Sequence, residues 1–232
     1  METILITGAS GLLGKNLKKL INTEKYNILA PSSSTLNIRN YELVRQYFDK
    51  NNIDICIHCA AFKDVMDIEK NASSTIRSID TNVIGTTNIL FSCMQRNSKL
   101  VFISTDHVFD GTKGDYDIDE PINPLSKYAK TKAAAELVVR TYHNSLVIRT
   151  SFFDTFFPYD KAFVDQWSTK DYIDIMAPKI LNECLSDKKG IVHVASFKKT
   201  LYDLAVERRK DVIKSSVKDV NFTVPIDTSL KQ

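Results

Sequence analysis

Three glycines at positions 8, 11 and 14 constrain this chain more than any other feature. They lie between a short apolar, β-rich run, Thr3-Ile4-Leu5-Ile6-Thr7, and a helical stretch marked by Leu17 and Leu20. Strand, glycine turn and helix in that order read as the entry of a βαβ unit that holds a dinucleotide. Gly8 permits the turn, Gly11 lets the backbone come close to a pyrophosphate, and Gly14 permits close helix packing. Free amides at the helix start then meet the negative charge. Lys15 follows Gly14, but the Gly-x-x-x-x-Gly-Lys-Ser/Thr spacing of a mononucleotide phosphate loop is absent.

The same alternation runs through the first 150 residues. A weak strand at 26–30 precedes a helix at 41–50 and a strong strand at 53–58. A polar helical stretch at 65–71 and a long helix at 76–95 follow, then a strand at 100–104, a helix from Ser126 and a strand at 145–149. Alternating elements of this kind predict an α/β fold, a Rossmann-like doubly wound parallel sheet covered by helices. The loop at 106–124 is too long for an ordinary connection, which marks it for functional work. After Thr150 the pattern changes. Phe152-Phe153-Asp154-Thr155-Phe156-Phe157-Pro158-Tyr159 serves either as a pocket wall or as an irregular core filler, and a helix at 172–185, a strand at 191–195, a helix at 201–210 and a less regular tail complete the chain. The expected organisation is a dinucleotide-binding domain over residues 1–150 and a small C-terminal substrate-side portion over 151–232, interleaved with it.

Charge narrows the partners. With 31 basic and 28 acidic residues the net charge is only +3, and the basic runs Lys198-Lys199 and Arg208-Arg209-Lys210 are short. They read as solvated helix faces, so no nucleic-acid polymer is expected. Cys56-Ile57-His58-Cys59 has the spacing of a metal or redox pair but lies in an apolar run that reads as a buried strand, with no second cysteine cluster. No metal is expected. No signal-like run and no stretch near the ~20 apolar residues of a membrane helix is present, which predicts a cytoplasmic protein without membrane association.

Tyr128 and Lys132, spaced i,i+4, share a helix face. A cation there favours phenolate and is expected to lower a phenol pKa normally near ~10. Such a pair suits proton delivery to a carbonyl as hydride arrives from a nicotinamide cofactor. Thr105 follows the strand at 100–104, where strand ends face the ligand crevice, and is placed to hydrogen-bond a substrate carbonyl. Asp106 either orients a substrate hydroxyl or caps the next turn, and His107 is either an acid or a turn-packing imidazole. The segment Ala30-Pro31-Ser32-Ser33-Ser34 offers no carboxylate for an adenosine ribose and no neighbouring arginine, so NADPH and NADH both stay open.

Taken in order, Gly8-Ala9-Ser10-Gly11-Leu12-Leu13-Gly14, Leu36-Asn37-Ile38, Cys59-Ala60-Ala61-Phe62 with Asp67 and Glu69, Asn82-Val83-Ile84-Gly85-Thr86, Ser104-Thr105-Asp106-His107-Val108-Phe109-Asp110-Gly111, Pro124-Leu125-Ser126-Lys127-Tyr128-Ala129-Lys130-Thr131-Lys132 and Ile148-Arg149-Thr150-Ser151-Phe152 span nearly the whole chain. The sequence thus resembles the extended short-chain dehydrogenase/reductases, in the dTDP-4-dehydrorhamnose reductase branch. That resemblance implies reduction of the C4 ketone of a nucleotide-linked 4-keto-6-deoxy sugar by NADPH or NADH, with Thr105, Tyr128 and Lys132 as catalytic residues. It implies cofactor contacts from Gly8, Ser10, Gly11, Leu12, Gly14, Ala60, Ala61, Asn82 and Lys132, and substrate contacts from Asp106, His107 and Phe152. Sugar-nucleotide epimerases and dehydratases share this chemistry, and a regulatory or structural relative without turnover is the competing class. The family more often carries Tyr at His107, Asp at Asn37, Trp at Phe152, and Gly at Ala129 and Ala135. The stretch between Ser151 and Asp165 reads as shortened, where relatives place additional sugar-nucleotide-binding structure. Homodimers are frequent in the family, and the helices at 76–95 and 126–142 are the faces for one, although their apolar positions serve equally to cover the sheet.

Overall fold

The computed structural model describes residues 1–232. Its elements in chain order are β1 (Glu2–Thr7), α1 (Leu12–Leu20), β2 (Tyr26–Leu29), α2 (Tyr41–Lys50), β3 (Ile55–His58), α3 (Val65–Lys70), α4 (Ala72–Ile79), α5 (Gly85–Arg96), β4 (Lys99–Thr105), α6 (Lys127–Val139) and β5 (Ser145–Thr150). There follow β6 (Phe152–Phe153), β7 (Lys161–Phe163), β8 (Trp167–Ser168), β9 (Asp171–Tyr172), α7 (Ile173–Cys184), β10 (Gly190–His193), β11 (Lys199–Thr200), α8 (Leu201–Arg208) and β12 (Ile213–Ser215).

Six strands form one parallel sheet in the order β10-β5-β4-β3-β1-β2. The chain leaves β1 for β2 on one side and returns to β3 on the other, so the strand order reverses at β1. Ligands of open α/β sheets bind at such a switch point, and the glycine loop emerges there. Strand alternation explains the unbroken apolar runs. Ile4, Ile6, Ile55, Ile57, Val101 and Ile103 face one layer with Leu13 and Leu17 of α1 and Met176 and Ile180 of α7. Leu5, Cys56, Leu100, Phe102 and Val147 face the other with Val44, Phe48, Ile89 and Val139.

Two features depart from the sequence pattern. The single helix expected at 76–95 is continuous but contains a π-helical turn at Asp80–Ile84 between α4 and α5. In addition, α7 and β10 belong to the main sheet layers although both follow Thr150. What remains after Thr150 is built from α8 and three two-stranded pairs, β6 with β9, β7 with β12 and β8 with β11.

Candidate active site

The crevice at the carboxyl ends of β1, β3, β4 and β5 holds two cavities, of about 340 Å³ and about 220 Å³, with Gly8, Gly11, Cys59 and Ala61 as common wall. Gly8 has φ +66°, and a Cβ there would meet the Ala60 backbone at 2.7 Å. A Cβ on Gly14 would lie 2.5 Å from the Gly8 carbonyl oxygen, so both positions need glycine. Because α1 begins so close to β1, the amides of Leu12, Leu13 and Gly14 open toward the crevice with no backbone carbonyl to bond. No acidic residue occupies the first turn of α1. Three free donors and a helix dipole make an anion cradle.

Beneath this loop lies a buried polar chain. Thr86 gives its hydroxyl proton to the Asn82 carbonyl at 2.7 Å, so the neutral His58 donates from Nε2 to Thr86 at 3.0 Å and accepts from Thr7 at Nδ1 at 2.6 Å. Burial, with Lys132 nearby, holds the His58 imidazolium pKa down at about 3. The Asn82 side chain accepts from the Phe62 amide and donates to the Phe62 carbonyl and Thr131. It lines neither cavity; it fixes the loop carrying Ala60, Ala61 and Phe62.

The smaller cavity gathers Thr105, Tyr128, Lys132 and Phe152 beside Gly11 to Gly14. Ser126 starts α6 by accepting from the Ala129 amide, which sets the register that turns Tyr128 and Lys132 to one side. Lys132 is buried, donates from Nζ to the Ile103 carbonyl at 2.7 Å and lies 4.0 Å over the Phe102 ring. Burial lowers its pKa to about 7. The Tyr128 phenol makes no hydrogen bond and is pushed up to about 12, by burial first and by Asp106 second. The expected lowering of the phenol pKa by its lysine is therefore corrected. Lys132 is turned to a carbonyl and a ring, and the charge felt by Tyr128 is a carboxylate. Tyr128 is consequently a proton donor at neutral pH, the form needed to protonate a ketone oxygen.

Helix α6 is held in place by an ion pair, Arg149 to Glu136 at 2.7 Å, with both side chains almost wholly buried. Ser104 of β4 donates to the same carboxylate at 2.7 Å, and Arg149 also donates to the Ile118 carbonyl. Thr105 donates to Asp106 at 3.1 Å and accepts from the His107 amide at 3.2 Å. Asp106 and His107 line neither cavity. The His107 ring nitrogen Nε2 lies 3.8 Å from Asp106, and burial lowers its pKa, which fits a neutral imidazole packed in the turn.

Sequence reasoning missed several lining residues. Arg39 and Arg77 border the larger cavity, whose walls carry no carboxylate, while Lys63, Thr150 and Ser151 border the smaller. Arg39 donates to the Asn37 side chain at 3.2 Å, Arg77 lies 4.6 Å over the Phe62 ring, and neither makes an ion pair. A signal for Arg39 existed: in Leu36-Asn37-Ile38-Arg39 the apolar residues are buried, which turns Asn37 and Arg39 outward. Cys59 also lines both cavities, but burial raises its thiol to about 12 and keeps it protonated. Of the aromatic run, Phe152 faces the smaller cavity and Phe157 fills a small core with Ala162, Ala205 and Val212.

Comparison with known proteins adds an independent line. A dTDP-4-dehydrorhamnose reductase of Aggregatibacter actinomycetemcomitans is 34% identical over 78% of this chain and 62% of its own length. Against the next curated relatives the chain spans roughly half of their length. The crystal structure of a dTDP-4-dehydrorhamnose reductase from Bacillus anthracis, in complex with NADP, superposes with a TM-score of 0.88 at 25% identity, covering 100% of this chain and 90% of that one. A reductase ortholog from Clostridium acetobutylicum gives 0.89 at 25% identity, over 99% and 90%. The RmlD substrate binding domain model matches residues 1–170. The chain belongs to that family, the dTDP-4-dehydrorhamnose reductase-like branch of the extended short-chain dehydrogenase/reductases.

Proposed function

We propose that this protein reduces the C4 ketone of a nucleotide-linked 4-keto-6-deoxy sugar with NADPH or NADH. The observation that carries the proposal is the convergence of Thr105, Tyr128 and Lys132 on one cavity beside the open start of α1. The residues present suit a dinucleotide: free amides at Leu12, Leu13 and Gly14 for the pyrophosphate, and the Ala60–Ala61 wall for the adenosine side. Bound there, the reduced nicotinamide supplies the hydride for C4. Tyr128 gives its phenolic proton to the ketone oxygen, Lys132 would steady the nicotinamide ribose, and Thr105 turns the proton that it rests on Asp106 to the carbonyl. A dehydratase needs an acid-base pair beside Thr105, whereas Asp106 is tied to hydroxyls and His107 is neutral in its turn.

For the cofactor, Arg39 and the carboxylate-free cavity support binding of a ribose 2′-phosphate. In a direct titration NADPH is expected to bind more tightly than NADH, and Arg39→Ala to narrow the gap while leaving NADH affinity unchanged. Turnover is tested by incubating the protein with nucleotide-linked 4-keto sugars while nicotinamide oxidation and product mass are followed. Oxidation with a two-hydrogen mass gain supports reduction; product without oxidation favours an epimerase. No binding of either nicotinamide at millimolar concentration favours a regulatory or structural relative.

Homodimerisation is proposed through the exposed apolar residues Ile76, Ile84, Phe91 and Leu137, and light scattering across a concentration series tests it. No helix is long and apolar enough to cross a membrane. Four free thiols accord with the proposed reducing, cytoplasmic location.

A further inference from the structure

We infer that Thr228, in the C-terminal segment, is a positioning residue that sets the Thr105 hydroxyl through the Asp106 carboxylate. The inference rests on the reductase reading. Asp106 is 1% exposed, and its two oxygens have one hydroxyl donor each, Thr105 on Oδ1 at 3.1 Å and Thr228 on Oδ2 at 3.0 Å. A buried carboxylate without its partners is costly, so the hydroxyl opposite Thr105 is needed to hold the carboxylate plane. Freed of Thr228, Asp106 would turn toward other donors, and the Thr105 hydroxyl would lose the acceptor that holds it in place.

The segment is built to deliver that hydroxyl. Thr228, Ser229 and Leu230 are buried. Tyr116 donates to the Ser229 carbonyl and Lys231 to the Tyr116 carbonyl, both at 2.9 Å, pinning the segment to the long loop after β4. On the other side Trp167 donates to the Ile226 carbonyl at 2.7 Å, Thr228 donates to the Trp167 carbonyl at 3.1 Å, and Leu230 donates to Thr169 at 3.1 Å. Gly111 and Gly114 have φ +75° and +74°, and a Cβ on either would collide with Pro225 or Asp227. The loop next to the catalytic threonine therefore accommodates this strap, and Thr228 is the strap residue that reaches Asp106.

The experiment is a kinetic double-variant cycle on the full chain, with NADPH and a dTDP-linked 4-keto-6-deoxyhexose as probes. Thr228→Val, which keeps shape and removes the hydroxyl, is expected to lower kcat by about tenfold with an unchanged NADPH dissociation constant. Thr228→Ser keeps the hydroxyl and is expected to restore kcat. If Thr228 acts through Thr105, Thr228→Val added to Thr105→Val costs nothing further, whereas an unrelated structural role multiplies the two losses. Thr228→Ala replaces the valine variant if that one does not fold. Wild-type kcat in the variant lacking the hydroxyl, a serine variant as slow as valine, or multiplicative losses would each overturn the inference alone. Absence of turnover in the unmodified protein would overturn the reductase reading and this inference with it.

Discussion

The sheet layers, α7 and β10 included, and the rim built from the remaining elements after Thr150 are held together by different forces. Around the sheet, two cores of 18 and 16 buried residues fix the strands and the helices on both faces. The rim has only a core of 4 buried residues around Phe157, and its strands come in pairs two or three residues long. Polar links take over there: Arg208 pairs with Asp174, Arg209 with Asp160, and Lys199 with Asp171 and Glu207. Apolar burial is non-directional and strong in sum, whereas part-exposed ion pairs such as those of Arg208 and Arg209 contribute little each. The proposed reacting groups thus sit on the apolar-packed part and the proposed substrate side on the polar-linked one.

The largest effect that separates the two regions is catalytic. Tyr128→Phe removes the proposed proton donor, so turnover is expected to fall by about 10²- to 10⁴-fold with nicotinamide affinity almost unchanged. Stopped-time assays beside a cofactor titration check it, and undiminished turnover would reject Tyr128 as the acid. Next comes Glu136→Leu, which leaves Arg149 as an uncompensated buried cation. Breaking such a pair costs about 3–5 kcal/mol, and a denaturant midpoint that barely moves would show that the sheet region does not depend on it.

The difference between the regions was also unequal in how far it could be read. Ile4, Ile6, Ile55 and Ile57 advertise their strands by composition, and the Gly8 turn advertises its helix, because both signals are local. The i,i+4 spacing of Tyr128 and Lys132 was local too, but the electrostatic consequence was not. Lys132 is directed by Phe102 and Ile103 on another element, and Asp106 reaches Tyr128 from a third. Nor did anything near residue 228 announce a hydrogen bond to a residue 122 positions earlier. Residues 213–215 pair in parallel with 161–163 for the same nonlocal reason.

A pH experiment sharpens the contrast because Lys132 is buried in the sheet region. Its folded pKa of about 7 lies below the ordinary lysine value, so between the two the unfolded chain binds the extra proton. Stability therefore rises with pH from about 7 toward the ordinary value near ~10.4, by at most about 1.4 kcal/mol per unit from this group. His58, His107 and His193 titrate below this window, whereas burial raises Cys56, Cys59 and Cys184, so above the free thiol value near ~8.5 these thiols lower stability as pH rises and oppose the Lys132 effect. Urea melts between about pH 7 and 8, below the free thiol value, are expected to show the rise in the unmodified protein and a flatter profile in Lys132→Met. Identical profiles would mean that Lys132 is not desolvated.

The smallest effect belongs to the rim. Arg208 of α8 donates to the Asp174 carboxylate at 2.9 Å and to the Thr155 carbonyl at 3.0 Å, and its guanidinium lies 4.0 Å over the Tyr172 ring. It thereby ties α8 to the start of α7 and to the aromatic loop beside the smaller cavity. The ion pair is part-exposed and the ring contact modest, so Arg208→Ala is expected to cost about 1 kcal/mol. Because the lost contacts lie on the proposed substrate side, KM for the sugar nucleotide is expected to rise a few-fold (~3-fold) while kcat and nicotinamide affinity hold. High salt should reproduce part of that rise in the unmodified protein and little of it in the variant, since screening weakens the same pair. A variant that loses kcat instead of sugar affinity would show that the rim transmits force to the reacting groups, and the proposed division between an apolar-packed reacting part and a polar-linked substrate side would fail.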